Sequence, residues 1–198
     1  MLKDVSAWVA SWSHLIETGA IVLDVACGSG RHTRWFASRG AKVTALDRDA
    51  AAIEGLRDIA FETVVADIEA DPWPLPGRQF DAVVVTNYLH RPLMPLLLQS
   101  VAESGVLIYE TFALGQADIG KPSNPNFLLR PGELLATTHP FQVVAYEDGF
   151  DPGLADGSTA SPARFVQRIV AVRAPAATSL DTPGFPRLPL RSRAVASG

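Results

Sequence analysis

The 198-residue chain has little cysteine, no clustered positive charge and no long apolar segment. A single cysteine, Cys27, forms no internal disulfide, which excludes a disulfide-stabilised secreted scaffold. The net charge of -4 and the scattered positions of the Lys and Arg residues argue against a nucleic-acid partner. The first residues, MLKDVSAWVASW, contain no apolar run of the length of a signal peptide or membrane helix. We therefore expect a cytoplasmic protein without membrane contact.

Apolar residues make up 47% of the chain and charged residues 19%, a balance that favours one globular core. This length predicts a single domain, which we assign to residues 1–173. The proline-rich residues 174–198 are expected to form a flexible tail. Histidine is scarce, and His14, His32 and His139 show no metal-ligand spacing, so we expect no metal site. The oligomeric state is left open.

Short apolar runs alternate with helical patterns along the chain. This alternation predicts parallel strands joined by right-handed crossovers, and the last two strands, with no helix between them, are expected to pair antiparallel. The segments 69–79 and 112–131 are rich in Gly and Pro and should be irregular. Strands are expected at 20–25, 42–46, 62–66, 81–86, 105–111, 141–146 and 165–172, and helices at 5–16, 31–39, 50–57, 92–102 and 132–138.

A glycine-containing turn, DVACGSG, joins the first predicted strand to the next helix. Its small residues, Ala26, Gly28 and Gly30, allow a ligand to approach the backbone where a larger side chain would clash. The helix N-terminus beyond the turn suits a carboxylate such as that of methionine, and Arg31 could add a charge-assisted contact. The turn therefore predicts a ligand site at the end of this strand.

Acidic residues end the next two predicted strands. Asp47 can accept hydrogen bonds from ribose hydroxyls, and Asp67 suits an adenine amino group. Each feature alone also has a structural explanation, because Asp often caps a helix and Gly-x-Gly is a common turn. Asp24, the glycines, Asp47 and Asp67 nevertheless all fall at the same edge of the predicted sheet, and this combination favours a nucleoside-containing ligand.

The run VLDVACGSGRHTRWFASRGAKVTALDRD resembles the first two motifs of class I S-adenosylmethionine-dependent methyltransferases. VVADIEADPWPL and FDAVVVTNYLH resemble the third and fourth, so the likeness covers roughly residues 20–111. The later segment NPNFLLRPGELL with its closing strands is similar to bacterial tellurite-resistance methyltransferases and their uncharacterised relatives. The resemblance implies an α/β fold, a Rossmann-like three-layer sandwich whose mostly parallel seven-stranded sheet has an antiparallel C-terminal strand. It also implies S-adenosyl-L-methionine as the cofactor and an acceptor that we expect to be a small molecule.

The resemblance further implies a cofactor site with three parts. Ala26 stands where the family usually has the first glycine of Gly-x-Gly-x-Gly, and we expect a tighter turn with binding retained. Asn87 would lie beneath the methionine part, near the reactive methyl group. The expected contacts are Asp24, Ala26, Gly28, Gly30 and Arg31 for the methionine part, Asp47 for the ribose, and Arg48, Asp67 and Ile68 for the adenine.

A general base is needed only when the acceptor must lose a proton. His90 is the best suited candidate because its ordinary pKa lies near neutrality, although a solvent-facing histidine at a helix start fits equally well. Glu110 could instead pair with Arg130 or Lys121. The four candidates near the expected methyl position are Tyr88, His90, Tyr109 and Glu110, of which His90 and Tyr88 are preferred.

Three alternatives stay open. A nicotinamide-dependent oxidoreductase would require a third glycine at the position of Thr33. The sequence therefore favours a methyltransferase over an oxidoreductase. A non-catalytic sensor or partner subunit could bind the same cofactor. An RNA or protein methyltransferase would need a basic face. The N-terminal helix could act as a lid over the cofactor, but the spacing of Trp8 and Trp12 favours packing in the core.

Overall fold

The computed structural model describes residues 4–153 and 162–175. Seven strands form one sheet in the order β3-β2-β1-β4-β5-β7-β6. Of the tail expected at residues 174–198, residues 176–198 lie outside the described residues. The strands are β1 (Ile21–Val25), β2 (Lys42–Asp47), β3 (Glu62–Val65), β4 (Phe80–Thr86), β5 (Val101–Phe112), β6 (Gln142–Asp151) and β7 (Arg164–Val172).

Short helices connect the strands and cover both faces of the sheet. Ser6 caps the first of them by accepting a hydrogen bond from the Trp8 amide, and Asp49 caps the third through the amides of Ala51 and Ala52. The helices are α1 (Ala7–Trp12), α2 (Arg31–Ser38), α3 (Ala50–Glu54), α4 (Met94–Gln99), α5 (Gln116–Ile119) and α6 (Glu133–Thr137), with 3-10 turns at Ser13–Leu15, Arg91–Leu93 and Pro125–Phe127.

The sheet confirms the predicted architecture. Strands β1 to β5 pair in parallel, and β7 lies antiparallel between β5 and β6. The strand order reverses at β1, which has β2 on one side and β4 on the other. In open α/β sheets a ligand binds outside the carboxyl ends of the strands at such a reversal. This topology places the glycine turn at the expected binding edge.

The core occupies both faces of the sheet. On one face Trp8 and Trp12 are buried against Phe36 and the apolar residues of β1, β4 and β7. This placement supports the prediction that the two tryptophans are core residues. On the other face the side chains of α4 pack with Phe80 and Tyr109. Within the described ranges no helix has the length and apolar character to cross a bilayer.

Several expected boundaries were wrong, and the segment 112–131, expected to be irregular, contains α5 and a 3-10 turn. Two of the shifted boundaries have a clear physical cause. The helix expected at 92–102 ends at Gln99, because Val101 already pairs with Phe80 and begins β5. The strand expected to end at residue 146 continues to Asp151, because β7 supplies hydrogen-bonding partners along its full length. In both cases pairing between strands distant in sequence overrides the local pattern.

Candidate functional site

The turn after β1 has a strained backbone that small residues tolerate best. Ala26, Gly28 and Gly30 have φ angles of 51°, 53° and 76°, in the left-handed region. A Cβ at Gly28 would meet no protein atom within 4 Å, whereas one at Gly30 would lie 2.6 Å from Leu56 Cδ1. Gly28 therefore borders open space at the binding edge, and Gly30 allows α2 to pack against the segment after α3.

This contrast predicts separate effects for two matched substitutions. Gly30→Ala should destabilise the fold by about 2–4 kcal/mol, because the left-handed alanine adds its strain to a clash with the buried Leu56. Gly28→Ala should cost only about 1–2 kcal/mol but obstruct the ligand. Urea unfolding and ligand titration of both variants separate the effects. Equal losses of stability would contradict this assignment of the two glycines.

Asp47 connects the end of β2 to the glycine turn. One carboxylate oxygen accepts the Gly28 N–H at 2.7 Å and the other accepts the Asp49 N–H at 2.9 Å. Each oxygen keeps a lone pair, since a carboxylate accepts about four hydrogen bonds. The side chain is thus oriented by the backbone on two sides and can still bind a diol.

Asp24 lies beneath the turn rather than on its surface. Its side chain is buried and accepts a hydrogen bond from Thr33 Oγ1 at 2.7 Å. Burial raises the pKa of this carboxyl to about 6, against the opposing effect of the Thr33 hydrogen bonds. Asp24 and Thr33 therefore join β1 to α2 where a dinucleotide-binding turn would have its third glycine. Cys27 is also buried, and burial raises the pKa of its thiol, as expected for a packed spacer.

The residues expected beside an adenine lie at the ends of β2 and β3. Asp67 Oδ1 accepts the Glu69 N–H at 3.1 Å, and Asp67 forms a 3.7 Å ion pair with the exposed Arg48. This exposed pair contributes little stability. Ile68 is buried next to them. The cluster provides an acceptor and an apolar surface at the same edge as Asp47.

The residues after β4 form the other side of the site. Asn87 has a left-handed φ of 54° and donates its N–H to the Glu110 carbonyl. The Tyr109 hydroxyl is buried and donates to the Tyr88 carbonyl, so it is unavailable to a ligand. The Tyr88 hydroxyl is itself buried, which raises its pKa. The partly buried His90 ring has no hydrogen-bond partner within the described part of the chain.

Glu110 does not pair with Arg130 or Lys121, as one sequence-based alternative had it. It is fully buried and pairs with Arg168 at 2.6 Å and Arg164 at 3.3 Å. It also accepts the Ser6 hydroxyl at 2.8 Å. The register that sets Glu110 opposite Arg168 creates this cluster. The Glu110 carboxylate is therefore occupied by structural contacts. It does not serve as the general base.

Two polar residues near Arg31, Thr86 and His32, were not predicted from the sequence. Arg31 Nη2 donates to Thr86 Oγ1 at 3.4 Å, and Nη1 donates to the Asp4 carbonyl at 3.4 Å. Burial lowers the pKa of Arg31, and the nearby Glu110 carboxylate opposes that shift. The buried His32 contacts Thr86 from α2. Nothing in the local pattern of RHT or VVTN distinguishes these residues from ordinary packed ones.

Comparison with known proteins supports the family expected from the motifs. Residues 22–104 match the family described as "Methyltransferase domain". The malonyl-[acyl-carrier protein] O-methyltransferase of Salmonella typhimurium is 46% identical over 55 residues, which make up 27% of this chain and 22% of that protein. The chain therefore spans about a fifth of that relative.

Solved structures share the fold. TehB from Haemophilus influenzae superimposes with a TM-score of 0.70 at 19% identity, over 85% of this chain and 62% of that one. An S-adenosylmethionine-dependent methyltransferase from Mesorhizobium loti gives a TM-score of 0.65 at 18% identity, over 84% and 97% of the two chains. Residues 22–104 thus match a methyltransferase-domain family, and the Rossmann-like fold predicted from the sequence is confirmed.

Proposed function

We propose that this protein transfers a methyl group from S-adenosylmethionine to a small-molecule acceptor. The observation that carries the proposal is the glycine turn whose Gly28 amide is hydrogen-bonded to Asp47. Open space at Gly28 and an oriented carboxylate at the same sheet edge suit a ligand with a ribose and an amino-acid part. S-adenosylmethionine supplies a methyl group on a positively charged sulfur.

The proposed roles follow the order of the strands. Asp47 would accept the ribose hydroxyls, and Arg48, Asp67 and Ile68 would border the adenine. Ala26, Gly28, Gly30, Arg31 and Asn87 would contact the methionine part, with Asp24 supporting the turn from below. The low exposure of Asp24 and its bond to Thr33 support this indirect role.

For acceptors that lose a proton, we assign the general base to His90 rather than Tyr88. Burial of the Tyr88 hydroxyl raises its pKa and makes it a poor base near neutrality. The next residue, Arg91, forms a two-pronged ion pair with Glu133 and also donates to the Leu128 carbonyl. These contacts fix the segment that carries His90 against the start of α6 and the residues before it.

The test has a binding arm and a transfer arm. Calorimetric titration should show binding of S-adenosylhomocysteine and none of NAD or NADH. In the transfer arm, label from methyl-labelled S-adenosylmethionine should enter metabolites below the size of a protein or RNA. With an acceptor that loses a proton, His90→Gln should lower turnover about hundredfold while leaving S-adenosylhomocysteine affinity unchanged.

Each result has a distinct meaning. Failure of the folded protein to bind S-adenosylhomocysteine would overturn the cofactor assignment. Binding with no transfer to any fraction would favour a non-catalytic sensor or partner subunit. Label found only in protein or RNA would replace the small-molecule acceptor. Unchanged turnover in His90→Gln would remove His90 as the base.

A further inference from the structure

A cavity of about 430 Å³ lies at the edge of the sheet opposite the candidate site. Gln79 and Ser100, which line it, directly precede β4 and β5. Its volume falls in the range of roughly 300–1,000 Å³ that is usual for ligand pockets. Ligands of open α/β sheets bind at the carboxyl ends of the strands, so this cavity is separate from the cofactor site. Other residues of its wall are Trp73, Pro76, Leu96, Gln99 and Arg173.

The wall of this cavity combines an aromatic ring with hydrogen-bond donors. The Trp73 indole N–H donates to the Leu75 carbonyl at 3.1 Å, which orients the ring, and the ring packs against the core. The Arg173 guanidinium has five N–H groups, one of which donates to the Val101 carbonyl at 2.7 Å. The side-chain amide of Gln99 is a further donor at the wall. The cavity therefore suits a ligand that has apolar faces and many hydrogen-bond acceptors.

The sequence that follows β7 has these properties. Arg173 lines the cavity, the described residues end at residue 175, and residues 176–198 follow. Three prolines at a spacing of three occur in the segment PGFPRLPL, residues 183–190, here called the proline motif. A polyproline II helix has about three residues per turn, so prolines at this spacing share one face. Proline has no N–H and this helix has no internal hydrogen bonds, so its carbonyls need donors from outside.

We propose that the proline motif of the chain binds in the cavity of the same chain as a polyproline II segment. Its prolines would lie against the Trp73 ring, and its carbonyls would accept hydrogen bonds from Gln99 and Arg173. Aromatic-lined grooves bind Pro-x-x-Pro segments by the same chemistry. The proposal restricts the expected flexible tail to the residues outside the motif, and it does not depend on the methyltransferase activity.

The length of the intervening chain permits this contact. Eight residues lead from residue 175 to Pro183, and at about 3.1 Å per residue they span up to roughly 25 Å. The chain can therefore turn back to the cavity that Arg173 lines. A connection this short holds the motif at a concentration of roughly 1 mM at the cavity. A contact with a Kd of about 0.1 mM between separate molecules would then be about nine-tenths occupied within one chain.

Limited trypsin digestion of the full chain tests the proposal, because arginines lie both within the motif and beyond it. Arg187 is inside the motif, and Arg193 follows it. A synthetic peptide of residues 176–198 gives the intrinsic cleavage rate at each site. Relative to this peptide, cleavage after Arg187 in the protein should be about tenfold slower, whereas cleavage after Arg193 should be unchanged. Replacing all three prolines of the motif with alanine should abolish the protection without altering the folded core.

A substitution in the cavity locates the contact. Trp73→Leu should also abolish the protection of Arg187, and in the background of the proline substitutions it should change nothing further. Trp35→Leu is the matched control, since Trp35 is a half-buried tryptophan that packs on the other face of the sheet. This control should keep the protection. Thermal unfolding of each variant establishes that it is folded.

Three results would overturn the proposal. Cleavage after Arg187 at the rate of the free peptide would show that the motif is not bound. Protection that survives either the proline substitutions or Trp73→Leu would place the contact elsewhere. Protection that increases when the protein concentration is raised from about 1 to 100 μM would show that the motif binds a second copy instead of its own chain.

Discussion

Replacing Glu110 with alanine is expected to destabilise the protein by about 3–5 kcal/mol. Glu110 is fully buried and forms ion pairs with Arg164 and Arg168, whose side chains are also largely buried. The substitution would remove the fully buried carboxylate of the cluster and leave Asp151 as the shared partner of both guanidinium groups. It would also leave the Ser6 hydroxyl without its acceptor. Such a loss corresponds to roughly 10 °C in the midpoint of thermal unfolding for a domain of this size.

Glu147→Ala is the matched control for this prediction. Glu147 pairs with the same Arg168 at 3.0 Å, but its side chain is 49% exposed. Solvent screens such a pair, and its removal should cost less than about 1 kcal/mol. Urea unfolding of both variants gives the comparison. If Glu110→Ala unfolds no more easily than Glu147→Ala, the buried cluster does not stabilise the fold in the way argued.

Asp47→Ala is expected to weaken S-adenosylhomocysteine binding about hundredfold or more. The substitution removes the proposed acceptor of the ribose hydroxyls, and hydrogen bonds to a charged group contribute about 1.5–3 kcal/mol each. It also frees the Gly28 amide, which the carboxylate now holds at 2.7 Å. Calorimetric titration measures the change. An unchanged affinity would show that the ligand does not contact this carboxylate.

The neighbouring Asp49 offers a control for charge and position. Asp49 Oδ1 accepts the amides of Ala51 and Ala52 as the cap of α3, and asparagine caps a helix equally well. Asp49→Asn should therefore retain affinity within about twofold while removing a charge two residues from Asp47. Comparable losses in Asp47→Ala and Asp49→Asn would indicate a general electrostatic effect instead of a ribose contact.

The position of the candidate site could be predicted because its signals are local. Gly28 and Gly30 follow an apolar strand directly, and Asp47 ends the next one. Parallel strands joined by crossovers bring their carboxyl ends to one edge, so these residues meet whatever the detailed packing. The structure adds the Asp47 to Gly28 hydrogen bond, which follows from the same adjacency of β1 and β2.

The orientation of individual polar side chains could not be predicted in this way. The sequence predicts Asp24 as a contact of the methionine part, but its side chain is buried beneath α2 and bound by Thr33. The sequence leaves Glu110 either facing the pocket or paired with Arg130 or Lys121, but the register of β5 with β7 sets it opposite Arg168. A one-residue change in register would reverse which side chains face each other. No local pattern contains that information.

The sequence by itself determined the succession of the strands, the glycine turn and the sheet edge that carries the site, because hydrophobic periodicity and backbone strain are properties of short segments. Only the tertiary structure decided that His32 is hydrogen-bonded to both the Ser6 backbone and Thr86. These residues come from three distant segments, and their contact depends on how α1 and α2 pack against β4. Side-chain hydrogen bonds form only after that packing has set their distances.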